Sequence, residues 1–321
     1  AITGVDLVEW QLRVASGEPL PMSQSDLTIT GHAFEARLYA EDVAQGFLPA
    51  TGVIGHLAFP AGCRADTGVR AGDQISPWYD SMIAKIIVHG PTRAAALNAL
   101  ARALETTEVA GTLTNLGFLA ALARHRGFAA GDVDTGLIAR DLAALTHAAD
   151  PSPAIRAGAV IAAAGLAEGA QPLTLWAPLR RPVAFAEPAE IEITAPDKIT
   201  VYLSDGAREC HFHAGFWWVD GRKTPFKLHK TDRRLTVFAG GAWVFDLPDP
   251  LERAGAEAAS DLTLAPMPGV VKAVFVTAGA QVQEGQPLAI MEAMKMEHTM
   301  LAARAGSVAE VLVAAGAQVE A

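Results

Sequence analysis

The sequence predicts a multidomain protein that combines α-helices and β-strands, an α+β fold class. The chain has 321 residues, which is enough for two or three domains. Helical and strand-like patterns alternate over residues 1–147, and one helix followed by strands is indicated in the middle of the chain. Residues 269–321 contain an internal repeat, which predicts a symmetric β-module.

Composition limits the classes of protein to which the chain can belong. Apolar residues make up 51% of the sequence and charged residues 19%, and no apolar run is long enough for a membrane-spanning helix. The formal net charge of −10 argues against nucleic acid as a partner, because phosphate binding needs a basic surface. Two cysteines, Cys63 and Cys210, provide no disulfide framework and fit a reducing compartment.

Residues 1–147 begin with a helix and a long strand. Apolar residues at helical spacing predict a helix over residues 5–16 that ends near Gly17. Residues 27–42 read LTITGHAFEARLYAED, and their alternation predicts a strand that places Arg37 opposite an apolar face. That apolar face consists of Phe34, Ala36, Leu38 and Ala40.

Further strands and helices follow in the same region. Short strands are indicated around residues 53–59, and AKIIVHG at 84–90 indicates a longer one. Thr92 is a candidate N-cap for a helix, and a second helix is expected over about residues 115–124. The apolar stripes of these helices are Leu97, Leu100 and Leu104, and Leu116, Leu119 and Leu122.

The middle of the chain predicts one helix followed by antiparallel strands. Ser152 and Pro153 are typical of an N-cap and a first turn, and the helix is expected to run to about residue 168 and stop at Gly169. Strand patterns separated by turns follow. The dipeptides Asp220-Gly221 and Gly240-Gly241 are suited to hairpin turns.

Two local features of the middle region have competing interpretations. In a strand His211 and His213 share one face, but no nearby second pair completes a zinc site, so no metal site is predicted. Trp217 and Trp218 point to opposite faces of a regular strand. One is expected in the core, and the other is a candidate interface anchor.

The C-terminal residues repeat themselves at an offset of 37. Residues 269–284, GVVKAVFVTAGAQVQE, match residues 306–321, GSVAEVLVAAGAQVEA. Each copy alternates apolar with small or polar residues and then reaches an Ala-Gly turn, as a half-buried strand and its turn would. Two such halves predict a small sandwich or flattened barrel with quasi-twofold symmetry.

Lys295 lies between the two copies, in the run IMEAMKMEHTM, and is expected near the tip of a hairpin on the pseudo-axis. Four of the chain's seven methionines, including Met294 and Met296, fall within residues 291–300. An amine held out among flexible apolar side chains is unusual for a lysine that only keeps a surface soluble. Taken alone, a Lys-Met pair would instead indicate a solvated lysine at a strand edge.

This pattern closely resembles the biotinyl carrier domain of biotin-dependent carboxylases. The similarity rests on the run PMPG at 266–269, the 27 residues from its second proline to Lys295, and the Ala-Met-Lys-Met tip. It implies that a biotin protein ligase attaches biotin covalently to Lys295, between Met294 and Met296. Lipoyl domains share the fold and the central lysine but resemble Asp-Lys-Ala at the tip, so the methionines favour biotin.

Residues 1–146 resemble the C-terminal subdomain of biotin carboxylase, an enzyme of the ATP-grasp family. The similar pieces are ITGVDLVEWQLRVASGE, GHAFEARLYAED, FLPATG, PWYDSMIAKIIVHG and TNLGFLAAL. In that family the arginine of Glu-x-Arg-x-x-Ala-Glu-Asp belongs to the active site, and here it is Arg37. The resemblance implies that Arg37 holds the ureido oxygen of biotin and stabilises its enolate. On strand periodicity alone, Arg37 would be a surface residue paired with Glu35 or Tyr39.

The resemblance also implies an ATP site in sequence before Ala1, with a glycine-rich flap, lysines and magnesium-binding glutamates. No GxxxxGK[ST] or GxGxxG loop replaces it, so the chain alone is expected to be inactive. Thr135 is a candidate for the adenine-contacting end of the subdomain. Because the chain starts without methionine and its second half-repeat stops at Ala321, before a counterpart of residues 287–291, we expect an interior piece of a longer polypeptide.

One helix followed by strands resembles the domain that joins carboxylase and carrier in acyl-CoA carboxylases. In that domain a β-barrel surrounds the helix and docks on the carboxyltransferase subunit. The expected domains are an incomplete carboxylase subdomain (1–147), the joining domain (148–248), a linker (249–261) and the carrier without its last strand (262–321).

Together the resemblances imply the α subunit of a biotin-dependent acyl-CoA carboxylase, a ligase. The complete enzyme would use bicarbonate and MgATP to carboxylate biotin on Lys295, and a carboxyltransferase β subunit would pass the carboxyl group to an acyl-CoA. The net negative charge suggests that the anionic acyl-CoA binds mainly to the β subunit. The implied compartment is the cytoplasm, or the mitochondrial matrix in a eukaryote.

Alternatives to this interpretation remain. GHAFEARLYAED, GFLPATG and MEAMKMEHT are most similar to 3-methylcrotonyl-CoA carboxylase, an enzyme of leucine breakdown. Propionyl-CoA, geranyl-CoA and acetyl-CoA carboxylases stay open, because the acyl pocket lies on the partner. From a different class, the chain would be a non-catalytic carrier and scaffold, and the role of Arg37 distinguishes the two.

Overall fold

The structure is a computed structural model that describes residues 1–76, 78–147, 149–169, 178–224, 227–248, 262–293 and 296–319. Three clusters of buried apolar side chains lie within these ranges. We name the parts that surround them the N-terminal unit (1–147), the middle unit (149–248) and the C-terminal unit (262–319). No helix in the described ranges is long and apolar enough to cross a membrane.

In the N-terminal unit, helices pack on a three-stranded antiparallel sheet, whose strands lie in the order β1 (His32–Tyr39), β8 (Met82–Gly90) and β6 (Arg64–Thr67). Its helices are α1 (Leu7–Ala15), α2 (Arg93–Thr106), α3 (Leu116–Arg124), α4 (Arg126–Ala130) and α5 (Leu137–Leu145), with a 3-10 turn at Gln24–Asp26. Its strands are β1 (His32–Tyr39), β2 (Glu41–Asp42), β3 (Leu48–Pro49), β4 (Gly52–Val53), β5 (His56–Ala58), β6 (Arg64–Thr67), β7 (Gln74–Ile75), β8 (Met82–Gly90) and β9 (Glu108–Ala110).

The predicted faces and caps of this unit are confirmed. In β1, Ala36 and Leu38 are buried, whereas Arg37 between them is exposed. Thr92 caps α2, because its hydroxyl accepts a hydrogen bond from the Ala95 N–H over 3.2 Å. The leucine stripe of α2 is buried against the sheet. Helix α1 also forms as expected, but none of its residues is buried.

Among the described residues of the middle unit, one helix packs against two antiparallel sheets. The elements are α6 (Pro153–Ala163), β10 (Leu179–Val183), β11 (Ala189–Ala195), β12 (Lys198–Leu203), β13 (Gly206–His213), β14 (Phe216–Val219), β15 (Arg222–Thr224), β16 (Lys227–Lys230), β17 (Arg234–Phe238) and β18 (Ala242–Asp246). Strands β10 to β15 form one sheet in sequence order, and β16 to β18 form the other. Both sheets share one apolar core with α6, in which Val160 and Ile161 are fully buried.

Two expectations for the middle unit need correction. Within the described residues the strands form two separate sheets and not a closed barrel. Helix α6 ends at Ala163, earlier than expected, because Gly165 takes a left-handed conformation with φ of +79°. The Gly165 N–H then donates to the Ala162 carbonyl and the Leu166 N–H to the Ile161 carbonyl, a Schellman arrangement that terminates the helix before Gly169.

The N-terminal and middle units meet at Glu108 of β9. The Glu108 carboxylate lies 2.7 Å from His56 Nε2 and 2.6 Å from Lys227 Nζ, on opposite sides of the boundary. Burial alone raises the pKa of Glu108, but the hydrogen bonds from Lys227 and His56 outweigh it and lower that pKa below its usual range. The His56 ring also lies 5.2 Å from the Phe238 ring, between centroids. The boundary therefore combines ionic and apolar contacts.

The C-terminal unit consists of β-strands in the ranges described. They are β19 (Gly269–Val274), β20 (Gln281–Val282), β21 (Pro287–Ala293), β22 (Met296–Leu301), β23 (Gly306–Ser307) and β24 (Gln318–Val319). One sheet has the order β22-β21-β19-β24, and β20 pairs with β23. The buried cluster is small and consists of Met267, Met291 and Ala293.

The predicted quasi-twofold symmetry is present in the backbone hydrogen bonds. Each bonded pair that joins one half-repeat to the other has a counterpart displaced by 37 positions in both partners. The strand pairs Gly269–Val319 and Val282–Gly306 are related in this way, as are the bonds from Gly316 N to Val271 O and from Gly279 N to Val308 O, both 2.7 Å long. Each half-repeat therefore bonds to the other half.

Replacing Ile161 by alanine tests the role of α6 as the centre of the middle unit. Ile161→Ala leaves a cavity beside a fully buried helix, so it is expected to lower the free energy of unfolding by about 2–5 kcal/mol. Denaturant-dependent hydrogen exchange of peptides from α6 measures this loss for the unit itself. The control Val244→Ala removes a side chain that is 47% exposed, and should change stability by less than about 0.5 kcal/mol. Equal effects of the two variants would contradict a buried helix.

Candidate functional site

Strand β1 carries Arg37 on its exposed face. Its side chain is 59% exposed, and Nε lies 3.5 Å from the Glu35 carboxylate. In the neighbouring strand, Lys85 is the cross-strand partner of Arg37. An ion pair this exposed contributes little free energy. The guanidinium therefore remains available to an additional ligand with an electronegative oxygen.

Arg37 lines a cleft of about 310 Å³ between β1, α2 and α3. Polar groups lie on the β1 side of the cleft, and apolar side chains come from the helices. Its other lining residues include Glu35, Tyr39, Glu41, Phe47, Asn115, Phe118, Leu119 and Phe128. A cation beside an apolar wall suits a ligand with one polar and one apolar part.

Asn115 holds the end of β1 in place beside this cleft. Its side-chain oxygen accepts a hydrogen bond from the Tyr39 N–H over 3.0 Å, and its side-chain nitrogen donates to the Arg37 carbonyl over 3.3 Å. Its own backbone N–H donates to the Tyr39 carbonyl over 3.2 Å. The residue is 5% exposed, so these bonds satisfy a buried amide. The sequence predicted only a helix beginning near residue 115 and not this role.

Glu41 is a second residue of the cleft that the sequence did not single out. Burial, and then the neighbouring Asp80 carboxylate, raise the pKa of Glu41 above its usual range. Its carboxylate lies 3.5 Å from the Asn115 side-chain nitrogen. The β1 end of the cleft therefore combines an exposed cation with a carboxylate that gains a proton more readily than usual.

The other predicted site lies on the hairpin formed by β21 and β22. The last described pair of this hairpin is Ala293 with Met296, so Met296 is the first residue of β22. Met294 and Lys295, the residues between them in sequence, lie outside the described residues. The assignment of Lys295 as the carrier lysine therefore stays a prediction.

Acidic side chains face each other near the end of this hairpin. Glu292 of β21 is paired with Glu297 of β22, and like charges opposite each other destabilise a sheet. Lys272 of β19 forms an ion pair with Glu292, and the hydrogen bond to that carboxylate raises the pKa of Lys272. The lysine thus offsets part of the repulsion.

The remaining candidates take no part in either site. His211 lies 4.0 Å from the Glu209 carboxylate, and no group of three metal-ligating side chains occurs in the described ranges. Thr135 is exposed ahead of α5 and does not line the Arg37 cleft. Trp217 is the core tryptophan, 1% exposed, and Trp218 is half-buried on the other face.

Comparison with known families divides the chain in the same way as its geometry. The family described as the biotin carboxylase C-terminal domain matches residues 35–140, which include Arg37 and the cleft. The family described as biotin-requiring enzyme matches residues 263–321, which include the symmetric module and Lys295.

Curated relatives match nearly the whole chain. The α subunit of mitochondrial methylcrotonoyl-CoA carboxylase from Arabidopsis thaliana is 35% identical, over 99% of this chain and 52% of that protein. The propionyl-CoA carboxylase α chain of Ruegeria pomeroyi is 34% identical, over 98% of this chain and 54% of that protein. The chain therefore spans about half the length of the curated relatives it matches.

Among solved structures, the biotin carboxylase domain of Hydrogenobacter thermophilus 2-oxoglutarate carboxylase is 37% identical, with a TM-score of 0.45 over 46% of this chain and 33% of that one. The chain is thus similar over nearly its whole length to acyl-CoA carboxylase α subunits, with its N-terminal part similar to the biotin carboxylase C-terminal domain and its C-terminal part similar to the biotin-requiring enzyme family.

Proposed function

We propose that this chain is the carboxyl-carrying part of an acyl-CoA carboxylase α subunit. In this proposal biotin on Lys295 receives a carboxyl group at the Arg37 cleft and delivers it to a carboxyltransferase β subunit. The observation that carries the proposal is the reciprocal pairing of the two half-repeats around the β21–β22 hairpin. That pairing supports an exposed attachment point, and the same chain contains the cleft.

The chemistry supplied by biotin is a ureido nitrogen that accepts and releases a carboxyl group. Arg37 is the residue that would hold the ureido oxygen, since an exposed guanidinium at the cleft can stabilise negative charge that develops there. Asn115 would keep Arg37 in position through its bonds to the β1 backbone. The apolar wall of the cleft would limit the access of water.

Tethering explains why attachment site and cleft belong to one subunit. A lysine side chain extended by biotin forms a long flexible arm, and attachment replaces bimolecular encounter with a high effective concentration. MgATP and bicarbonate are assigned in this proposal to the part of the relatives' length that this chain does not span. The domain boundaries proposed are 1–147, 148–248, a linker at 249–261, and 262–321.

The proposed partners are a carboxyltransferase β subunit, which binds the acyl-CoA, and a biotin protein ligase, which modifies Lys295. The middle unit is the proposed contact with the β subunit, and Trp218, half-buried on β14, is its candidate anchor. We propose 3-methylcrotonyl-CoA as the acyl substrate, supported by methylcrotonoyl-CoA carboxylase α subunits among the relatives. Propionyl-CoA is the second candidate, supported by the relative from Ruegeria pomeroyi.

A reducing compartment, the cytoplasm or the mitochondrial matrix of a eukaryote, is proposed from the cysteines. Cys63 and Cys210 are both free thiols. Burial raises the pKa of Cys210 to about 12, so that thiol stays protonated and unreactive in the folded protein.

Biotin attachment is expected at Lys295. Coexpression with a biotin ligase should raise the intact mass by one biotin and allow capture by avidin, and Lys295→Arg should remove both. The control Lys272→Arg keeps a cation on an exposed lysine of the same unit and should remain biotinylated. A mass increase that corresponds to lipoate would contradict the biotin assignment.

Arg37→Ala in the complete α subunit should lower the rate of biotin carboxylation about 100- to 1,000-fold, because it removes the cation that stabilises developing charge. Biotinylation of Lys295 should be unchanged, which intact mass measures. The control Arg64→Ala removes another exposed arginine of the same sheet and should leave the carboxylation rate within about twofold. Undiminished turnover by Arg37→Ala would favour a non-catalytic carrier and scaffold.

The acyl-CoA preference is expected to belong to the β subunit. The reconstituted enzyme should show its highest kcat/KM with 3-methylcrotonyl-CoA, compared with propionyl-, geranyl- and acetyl-CoA in separate assays. Arg37→Lys should lower kcat by a similar factor with all four substrates and leave their order of kcat/KM unchanged, because it acts before the carboxyl group reaches the acyl-CoA. Preference for propionyl-CoA would refute the proposed substrate while leaving the carrier function intact.

A further inference from the structure

The segment that joins β2 to β3 has an unusual backbone. Gly46 has φ of +76° and Phe47 has φ of +65°, and Phe47 is one of only three non-glycine residues with positive φ in the described residues. A bulky residue in this conformation is strained and needs compensating contacts. The sharp turn lets β3 return along β2, with Leu48 opposite Asp42.

Phe47 obtains its compensating contacts inside the Arg37 cleft. Its ring packs edge-on against Phe118 of α3, with 5.0 Å between centroids and 81° between planes. Both rings line the cleft that contains Arg37. This aromatic pair therefore fixes the turn at the edge of the cleft.

Leu48, the next residue, makes its contact with a different unit. It packs against the buried cluster of the C-terminal unit, which consists of Met267, Met291 and Ala293. The other side chains that pack on this cluster all come from residues 265–319. Ala293 belongs to the last described pair of the β21–β22 hairpin. Leu48 therefore touches the small core next to the last described pair of the β21–β22 hairpin.

We propose that the segment over residues 46–49 is the docking contact through which the carrier binds to the carboxylase subdomain, with Leu48 as its anchor. Arg37 and Phe47 line the same cleft, and the next residue, Leu48, packs on the cluster that includes Ala293 of the hairpin. Methionines suit such a surface, since their flexible thioethers adapt to a side chain that arrives and leaves. The inference rests on the proposed function, because docking matters only if the carrier is carboxylated at this cleft.

The Leu48 contact predicts that attached biotin and free biotin respond differently to a change at Leu48. Free biotin reaches the cleft without the carrier, whereas the subunit's own biotin arrives with the C-terminal unit docked. Leu48→Gln keeps the approximate size of the side chain but places an amide against an apolar cluster. It should therefore weaken docking without removing any group that contacts biotin.

The experiment compares two rates in the complete α subunit. Leu48→Gln should lower the single-turnover rate of carboxylation of the attached biotin about tenfold, and should leave bicarbonate-dependent ATP hydrolysis with excess free biotin within about twofold. Leu48→Met keeps an apolar contact and should retain both rates. The control Val53→Ser changes a side chain of β4 that is 53% exposed and outside the cluster, and should also retain both.

The free-biotin rate reports directly whether the cleft of each variant is folded. Equal loss of both rates in Leu48→Gln would show that Leu48 supports the cleft itself, and an unchanged rate with attached biotin would show that docking occurs elsewhere. Either result overturns the docking proposal and leaves the proposed function standing. If the unaltered subunit carboxylates neither form of biotin, the proposed function fails and the docking proposal fails with it.

Discussion

The C-terminal unit has to hold a hairpin in a fixed register with very little apolar core. Among its described residues, Met267, Met291 and Ala293 form the buried cluster, and a core of that size contributes little to stability. Reciprocal backbone bonds between the two half-repeats supply what the core lacks, since each half satisfies the other's strand edge. The register of the hairpin therefore depends on symmetry more than on burial, and Leu48 adds an apolar contact from outside the unit.

The cleft of the N-terminal unit is held rigid in a different way, by side-chain hydrogen bonds to a strand. Arg37 lies within a long strand. The side-chain amide of the buried Asn115 forms hydrogen bonds with the Arg37 carbonyl and the Tyr39 N–H of that strand. Sites built on strands with buried supporting hydrogen bonds keep their geometry better than sites on loops. In the proposed function the lysine would be the part that moves and the arginine the part that stays fixed, which is the division of roles that a carrier and its acceptor cleft require.

Local patterns made much of this arrangement predictable. Alternation in β1 indicated which face Arg37 occupies, and Asp220-Gly221 forms the two-residue turn expected of those residue types. The turn between β13 and β14 also has two residues, but its first residue is Ala214, with φ of +50°. No sequence propensity favours alanine in that conformation. The predicted end of α6 was wrong because Gly165 and Gly169 are both suited to terminate a helix. The hydrogen bonds that make Gly165 the terminator form only in the folded backbone, so the sequence does not indicate them. Asn115 was missed because its partners lie more than 70 positions earlier in the sequence.

The reciprocal pairing also has a consequence for the order of events during synthesis. Gly269 bonds to a residue 50 positions later, so the first half-repeat leaves the ribosome well before its partner strand exists. Until then its strand edges and apolar face have nothing to cover them, and such segments are vulnerable to aggregation. Lys295 lies between the two half-repeats in sequence, so it is translated before the second half-repeat can pair with the first.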